Sequence, residues 1–299
     1  MKKLLILYYT QSGQLADVVN SFATAFSWQE ISVEVVRIKP VNDFSFPWTS
    51  ERFFDAMPES VLGIPVPLQN FELKETKYDL IVIAYQPWFL SLSIPINSLL
   101  HEPKLQAALK DTPVVTLIGA RNMWINSQEK LKKILNKVGA RVVGNIALVD
   151  RNSNLTSAVT ILYWMLTGKK DRYLGVFPQP GIAQGDIARA SQFGNVVKDF
   201  LLSNNFDGLQ QELVKNGAAE VNPNLMFIEE RAPKLFAIWA NIIIKRKNRK
   251  AWLVLFKYYL LVALFIVAPV VLSVYTILFK PFLSKSIRKK QLYYQGIDA

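Results

Sequence analysis

The chain has 299 residues, 51% of them hydrophobic, which is enough apolar material for a sizeable core and excludes a mainly disordered protein. Residues 1–230 hold 22 Lys/Arg and 22 Asp/Glu, so the net charge of +12 comes from residues 231–299, and an anionic membrane explains it better than nucleic acid. With no cysteine and one histidine, His101, the chain lacks the residues for thiol nucleophiles, cysteine-ligated zinc and histidine-pair metal sites.

Five apolar segments are predicted to form strands. The first, residues 4–9, is continuously apolar, as in a strand buried on both faces, and it is too short for a signal peptide, so we expect a cytoplasmic body. Strands that alternate with helices predict an α/β fold, with a five-stranded parallel sheet between two helical layers. The predicted strands are residues 4–9, 31–38, 79–84, 113–118 and 141–149, and helices are predicted near residues 104–109, 128–138, 155–166 and 186–202.

Residues 40–71 interrupt this alternation as an aromatic insertion. The segment carries Phe44, Phe46, Trp48, Phe53 and Phe54 among five prolines, which is too aromatic for a solvated linker. Two interpretations stay open: a lid that packs its own small core, and an insertion that contacts the substrate. Two interpretations also remain for the apolar helix predicted at residues 155–166: a helix of the core, and a helix that contacts a membrane.

The chain changes character after the predicted sheet. We predict a domain over residues 1–205, an amphipathic, basic linker helix at 206–250, a membrane segment at 251–280 and a basic tail at 281–299. As one helix, the apolar run at 252–279 would be about 42 Å long, against roughly 30 Å for a hydrocarbon core. It is long enough to span, but Lys257 and Pro269 also allow a bent, in-plane segment with both basic flanks cytoplasmic. Both arrangements place the protein at the cell membrane, with its catalytic domain on the cytoplasmic side.

The turn after the first predicted strand has the composition of a phosphate-binding loop. It reads Tyr9-Thr10-Gln11-Ser12-Gly13-Gln14-Leu15 and leads into an amphipathic helix. Hydroxyls and N–H groups at a helix N-terminus present hydrogen-bond donors and the positive end of the helix dipole to an anion. The alternative interpretation is a plain strand-to-helix turn.

Two further loops are expected at the same edge of the sheet. Tyr85-Gln86-Pro87-Trp88-Phe89 follows the third predicted strand, and Gly119-Ala120-Arg121-Asn122-Met123-Trp124 follows the fourth. Because ligands of open α/β sheets bind at the carboxyl ends of strands, these loops are placed to hold a flat ring between aromatic side chains. Either tryptophan could instead be a core residue.

This arrangement resembles the flavodoxin-like FMN-binding fold, whose phosphate loop reads Ser/Thr-x-Thr/Ser-Gly-x-Thr. Thr10, Ser12 and Gly13 match that pattern, whereas Leu15 replaces its last threonine and removes one hydroxyl. The resemblance implies FMN as the cofactor. The residues that it implies for cofactor binding are Thr10, Gln11, Ser12, Gly13, Gln14, Leu15, Gln86, Pro87, Trp88, Phe89, Gly119, Arg121, Asn122 and Trp124.

A second resemblance covers most of the chain. Several long blocks look like the bacterial dialkylresorcinol condensing enzyme family, which implies a role in making dialkylresorcinol lipids beside a ketosynthase and an acyl carrier protein. The blocks include Tyr8-Tyr9-Thr10-Gln11-Ser12-Gly13-Gln14-Leu15, Phe46-Pro47-Trp48-Thr49-Ser50, Pro58-Glu59-Ser60-Val61-Leu62-Gly63-Ile64-Pro65, Tyr85-Gln86-Pro87-Trp88-Phe89-Leu90 and Arg121-Asn122-Met123-Trp124.

Condensation on thioesters normally uses a cysteine nucleophile with histidine partners, so we do not expect this chain to condense acyl groups. Oxidation of a dialkyl-cyclohexanedione to the resorcinol removes two hydrogens, which suits a flavin as hydride acceptor. The lipid-like product suits a membrane-bound enzyme. Tyr85 and Arg121 are the catalytic candidates, followed by Tyr9, His101, Asp55 and Glu59, although His101 fits a surface turn better.

Two other functions stay open on the sequence. A flavin quinone or enone reductase that uses NAD(P)H would need the same neutral, aromatic-walled site. A non-catalytic membrane scaffold of the same lipid pathway would keep the fold without a bound flavin, and Leu15 in the phosphate loop favours it slightly.

Overall fold

The computed structural model describes residues 1–26 and 29–297, so the last two residues of the predicted tail lie outside the described residues. The strands are β1 Lys2–Tyr8, β2 Ile31–Arg37, β3 Leu80–Tyr85, β4 Pro87–Trp88, β5 Ser91–Leu92, β6 Pro113–Ala120 and β7 Arg141–Val149. The helices are α1 Gln14–Ala23, α2 Ser50–Asp55, α3 Met57–Leu62, α4 Ile94–Leu99, α5 Pro103–Leu109, α6 Ile125–Lys137, α7 Asn154–Thr167, α8 Gln184–Ser203, α9 Leu209–Lys215, α10 Pro223–Glu229, α11 Ala232–Ile244, α12 Arg249–Val262, α13 Ala268–Val274 and α14 Ser284–Gln295.

The main sheet has five parallel strands in the order β2-β1-β3-β6-β7. This order is that of the flavodoxin-like doubly wound fold, in which ligands bind where the chain switches from one side of the sheet to the other, at β1 and β3. The predicted fold class is confirmed. Continuously apolar strands such as β3, buried at every position, form because helices cover both faces of the sheet.

Each face of the sheet has its own core. On one face, Leu5, Ile83 and Ile118 pack with residues of α4, α5 and α6, such as Leu99, Leu105 and Leu131. On the other face, Ile6, Val82 and Leu117 pack with α1, α8 and α9, through residues such as Val18, Phe193 and Leu209. The sheet is therefore the middle layer of three.

The aromatic insertion forms α2 and α3, which the sequence did not predict. Phe54 and Met57 pack against Ala240 and Ile243 of α11 and against Phe256 of α12 in a third apolar cluster. The insertion thus joins the sheet domain to the C-terminal helices.

The predicted single linker helix over 206–250 is wrong, because the structure has three helices there, α9, α10 and α11. Gly217, with φ 81°, follows α9, and Asn222 caps α10 by accepting from the N–H groups of Asn224 and Leu225. Pro223 stands in the first turn of α10, where proline is tolerated but cannot continue a preceding helix. α9 also packs in the sheet domain, since Leu209 and Leu213 are buried in its core.

The C-terminal helices form one helical run from Arg249 to Gln295, 47 residues long, with π-helical segments at Ala263–Val267 and Tyr275–Phe279 and a 3₁₀ segment at Lys280–Leu283. Within the described residues it is the one helix long and apolar enough to cross a membrane. The predicted tail is mostly α14, a continuation of the same run.

The 249–295 helix contacts the body along its length. Near its start, Leu253 and Phe256 are buried against α3 and α11. Further along, Tyr275 stacks on Phe227 of α10 with ring centroids 3.8 Å apart, and Ile287 is buried in the sheet core. The opposite face carries large apolar side chains that are exposed, namely Val254, Leu255, Tyr258, Val262, Ile266, Val270, Ile277, Leu278 and Phe279.

Candidate functional site

A cavity of about 230 Å³ opens at the carboxyl ends of β1, β3 and β6, where the fold places ligands. We call it the strand-end cavity. The three loops that the sequence placed at this edge meet there, with Gln11, Ser12, Gln14, Leu15, Gln86, Pro87, Trp88, Phe89, Gly119 and Arg121 in its lining.

The loop between β1 and α1 has the features of an anion site. Gly13 has φ 90°, a left-handed conformation that a side chain would strain, and it precedes the first N–H groups of α1, which have no acceptor within the helix. Thr10 is 2% exposed, and its Oγ1 finds no hydrogen-bond partner in the described part of the chain. Arg37, which the sequence analysis missed, reaches the carbonyl oxygen of Thr10 with Nη2 at 3.5 Å. A phosphate at this loop would give the orphan hydroxyl an acceptor.

One wall of the cavity is a small hairpin formed by β4 and β5. Its tip residues Phe89 and Leu90 have φ of 48° and 58°, which is rare for non-glycine residues and marks backbone strain. Trp88 packs edge-on against Trp48 of the insertion, with ring centroids 5.4 Å apart. Phe53 packs at 5.1 Å from Phe89. The insertion therefore supplies part of the cavity wall through Trp48 and Phe53, and its contact with a substrate stays a prediction.

The opposite wall comes from residues that the sequence analysis did not select. Trp164, from the end of α7, and the loop residues Gly181 and Ile182 line the cavity. The Gln14 side chain fixes this loop, because its Nε2 donates to the carbonyl of Ile182 and its Oε1 accepts from the Ile182 N–H, each at 3.0 Å. A Cβ atom on Gly181 would lie 2.6 Å from Gln14 Oε1 and 2.8 Å from the Trp164 ring. Only glycine fits there without displacing its neighbours.

Arg121 is the one titratable side chain among the described residues that line the strand-end cavity. Its Nη1 donates to the backbone and side-chain oxygens of Asn154, at 3.0 and 3.2 Å, and lies 3.3 Å from Ser157 Oγ, so the start of α7 holds it in place. Burial lowers the pKa of Arg121 to about 10, against the opposing charges of Asp150 and Glu229. The guanidinium is therefore charged at neutral pH.

Tyr85, the other catalytic candidate, lies outside the cavity. Its side chain is fully buried in the sheet core, and its hydroxyl donates to Gln128 Oε1 at 3.1 Å. Burial raises its pKa far above the ordinary value, so it is not suited to act as a base at neutral pH. The side chain points away from the cavity because β3 ends with Tyr85 on the face covered by α6, so its hydroxyl does not reach a ligand there.

The remaining predicted residues have structural partners. The Tyr9 hydroxyl donates to Asp43 at 3.2 Å, and His101 Nδ1 lies 2.7 Å from the carbonyl of Asn97. Asp55 and Glu59 accept hydrogen bonds from Arg249. The predicted cofactor-binding residue Trp124 is a core residue instead, 2% exposed beneath α6. Asn122, also outside the cavity lining, donates to Asn154 Oδ1 at 2.9 Å beside Arg121.

The cavity can bind a flat, anionic ligand, but its own side chains offer little for acid and base chemistry. Its polar side chains are one serine, three glutamines and Arg121. Across residues 1–26 and 29–297 the structure shows no cluster of His, Asp and Glu suited to a metal ion. Catalysis at this site would depend on a bound cofactor.

Comparisons with known proteins show similarity to solved structures only. No family model matches the chain, and no curated protein matches it significantly. A flavoprotein from Lactobacillus acidophilus, solved in complex with FMN, is 19% identical, covers 49% of this chain and 93% of its own, and has a TM-score of 0.41. Putative flavoproteins from Bacteroides eggerthii and Bacteroides uniformis are 17% and 16% identical, cover 57% and 50% of this chain and 100% and 92% of their own, and both have TM-scores of 0.40.

Proposed function

We propose that the protein is an FMN-dependent oxidoreductase with its flavin in the strand-end cavity. The observation that carries the proposal is the orphan hydroxyl of Thr10, in the loop before the N-terminus of α1, which no side chain caps, next to a cavity with aromatic walls. Residues 10–15 would hold the phosphate, and residues 86–89 and 119–121 would border the ring. When bound, FMN supplies hydride transfer, which none of the side chains in the cavity can supply.

FMN titration of the purified full-length protein tests the cofactor. Thr10→Val keeps the size of the side chain and removes the orphan hydroxyl, so we expect the Kd for FMN to rise about tenfold or more, as for loss of a hydrogen bond to a charged group. Thr24→Val is the matched control, because Thr24 Oγ1 bonds to the carbonyl of Ser21 at the far end of α1. Absence of flavin absorbance and of titratable FMN binding in the unaltered protein would refute the proposal.

We propose a dialkyl-cyclohexanedione as the substrate and the dialkylresorcinol as the product. The residue blocks that resemble the dialkylresorcinol family support this pathway, and the absence of cysteine removes condensation itself. Oxidation removes two hydrogens from the dione, and a bound FMN would accept one of them as a hydride. The other would leave as a proton to water, since the cavity holds no carboxylate or imidazole among its described lining residues. The Arg121 guanidinium, which lines the cavity, would hold the enolate oxygen that forms as the proton leaves.

A dione oxidation assay followed by chromatography tests this reaction. We expect the purified protein with FMN and an external electron acceptor to convert the dione to the resorcinol, and Arg121→Met to lose most of this activity. NAD(P)H-dependent reduction of quinones or enones, without dione oxidation, would identify a reductase instead. The condensing step would belong to a separate ketosynthase that works with an acyl carrier protein, and both are proposed partners.

We further propose that the 249–295 helix lies in the plane of the membrane rather than across it. A spanning helix needs about 20 residues surrounded by lipid. Between the buried residues Phe256 and Tyr275, Leu264 and Ala268 still face the body, so spanning would place the body within the bilayer. The outward face fits one leaflet, and the basic residues on its two sides fit anionic headgroups on the cytoplasmic surface. These residues include Lys245, Arg246, Lys247, Lys285, Arg288 and Lys289.

Depth measurements separate the two arrangements. Because the chain has no cysteine, single cysteines at Val254, Val262, Val270 and Ile277 can each carry a fluorophore without background labelling. In vesicles with lipids brominated at known depths, we expect one shallow depth for all four positions. A cysteine at Asp199, which is exposed on α8 on the other face of the sheet, is the unquenched control. A depth that passes through the bilayer centre along the series would refute the in-plane placement.

A further inference from the structure

A second cavity, of about 280 Å³, lies directly behind the strand-end cavity. We call it the helix-side cavity. The two cavities share the lining residues Phe53, Pro87, Phe89, Arg121, Ile161 and Leu162. The two cavities therefore adjoin each other at these six residues.

The composition of the helix-side cavity is that of a site for a hydrocarbon chain. Among its described lining residues, Arg121 and Asn154 are the only polar side chains, and they are hydrogen-bonded to each other. All of its other lining residues are apolar. Arg121 also lines the strand-end cavity, so the polar pair lies where the two cavities adjoin, and the other side chains of the helix-side cavity offer no hydrogen-bond partner to a polar ligand.

Three helices supply much of the remaining wall of the helix-side cavity. α7 contributes Ala158 and Leu162, and α11 contributes Phe236. The 249–295 helix contributes Leu260, Leu261, Leu264 and Ala268 from its body-facing side. The cavity therefore lies between the strand-end cavity and the helix that we place in the membrane.

We propose that the helix-side cavity binds one linear alkyl chain of the ligand, with the oxygen-bearing head at Arg121. The inference deepens the proposed function, because it assigns a place to the chain of a substrate whose head reaches the flavin. Binding should strengthen with chain length, by about fourfold for each methylene group that is buried, until the cavity is full. A hydrophilic ligand would gain nothing from this cavity.

Photolabelling tests the site without using flavin or activity. The probe is a long-chain fatty acid with a diazirine at its terminal carbon, added to the full-length protein in lipid nanodiscs that lack FMN. Its carboxylate matches Arg121, and its terminal carbon reports where the chain ends. We expect mass spectrometry to find adducts on α7 and on the body-facing side of residues 260–268.

Two variants fill the helix-side cavity from opposite walls. Ala158→Phe and Ala268→Phe each place a ring in the space for the chain, and we expect each to reduce the α7 adducts about tenfold or more, as for a loss of 1.4 kcal/mol. Leu155→Phe, also on α7 but exposed, and Val270→Phe, on the outward face, are the matched controls. Because Ala158 and Ala268 lie on different helices, a local folding defect in one variant would not explain the same loss of adducts in both.

The outcomes distinguish this inference from the proposed function. Adducts only on outward residues such as Ile266 and Ile277, or α7 adducts unchanged in both filling variants, would overturn the alkyl-chain site, whatever the FMN titration shows. Normal α7 adducts in a protein that does not bind FMN would support the alkyl-chain site and would refute only the proposal that the protein is FMN-dependent.

Discussion

Gln14 and Ile182 are joined by two hydrogen bonds, one donated and one accepted by the Gln14 amide, although 168 residues separate them in the chain. Both bonds are buried and measure 3.0 Å. Together they attach the loop that carries Gly181 to the first turn of α1, so the loop between β1 and α1 is joined directly to the opposite wall of the strand-end cavity.

Replacing Gln14 with leucine should open this wall. The N–H and carbonyl of Ile182 would be buried without partners, which costs about 1–3 kcal/mol for each group. We expect faster hydrogen exchange of the Ile182 amide and a weaker affinity for FMN. Gln106→Leu, which removes one hydrogen bond to the carbonyl of Leu100 away from the cavity, is the control. Unchanged exchange at Ile182 would contradict this account.

Gly181→Ala should be far more damaging than the same change at Gly175. Both glycines have positive φ, 84° and 69°, so the backbone strain is similar. A Cβ atom at Gly175 meets nothing within 4 Å, whereas one at Gly181 meets Gln14 and Trp164. The difference between the two variants in the midpoint of thermal unfolding therefore measures the clash alone. Equal midpoints would show that Gln14 and Trp164 can move to accommodate the added Cβ atom.

Glu229 should make the protein less stable as the pH rises. Burial raises the pKa of its carboxyl to about 8 from an ordinary 4.5, although N–H groups at the start of α6 and the charge of Arg121 oppose the rise. Between these two values the folded state keeps a proton that the unfolded state has lost, so the free energy of unfolding falls by up to about 1.4 kcal/mol per pH unit.

Denaturant titrations from pH 5 to pH 8 measure this dependence. Glu229→Gln removes the titration and keeps the shape of the side chain, so its stability should vary less with pH than that of the unaltered protein. Parallel profiles for the two proteins would contradict the assignment to Glu229.

Arg249 should stabilise the start of the 249–295 helix more than its neighbour Lys250 does. Arg249 pairs with both oxygens of Glu59, at 2.6 and 2.7 Å, and with Asp55 at 2.8 Å, while the pair between Lys250 and Glu51 is exposed on both sides. We expect Arg249→Met to cost about 1–3 kcal/mol of unfolding free energy and Lys250→Met less than about 1 kcal/mol. Equal losses at low and high salt would argue against an ionic origin.

The sequence was sufficient for the sheet and for one side of the site. Apolar strands that alternate with helices predict a parallel sheet. The glycine-containing and aromatic loops after these strands predict the edge at which Ser12, Trp88 and Gly119 meet. The side chain of Tyr85 was not predictable, because a strand buried at every position lacks the alternation that tells its two faces apart.

The other side of the site depends on contacts between distant segments. Trp164 and Gly181 line the cavity, and hydrogen bonds from Gln14 to Ile182 attach the Gly181 loop there. No local sequence pattern predicts such a contact. A glutamine in the first turn of a helix is ordinary in sequence. Likewise, an apolar run of this length looks the same whether lipid surrounds it or a body covers one side, so the contacts of Leu253 and Tyr275 had to come from the structure.

The 249–295 helix, which is buried against the body at Leu253, Phe256, Tyr275 and Ile287, has a kinetic consequence. On the proposed in-plane placement, the enzyme and its lipid-like substrate diffuse in the same leaflet, so they meet by a search in two dimensions. The rate would then follow the mole fraction of substrate in the lipid rather than its molar concentration in the sample. Adding inert lipid at a constant amount of substrate would slow the reaction by dilution within the surface.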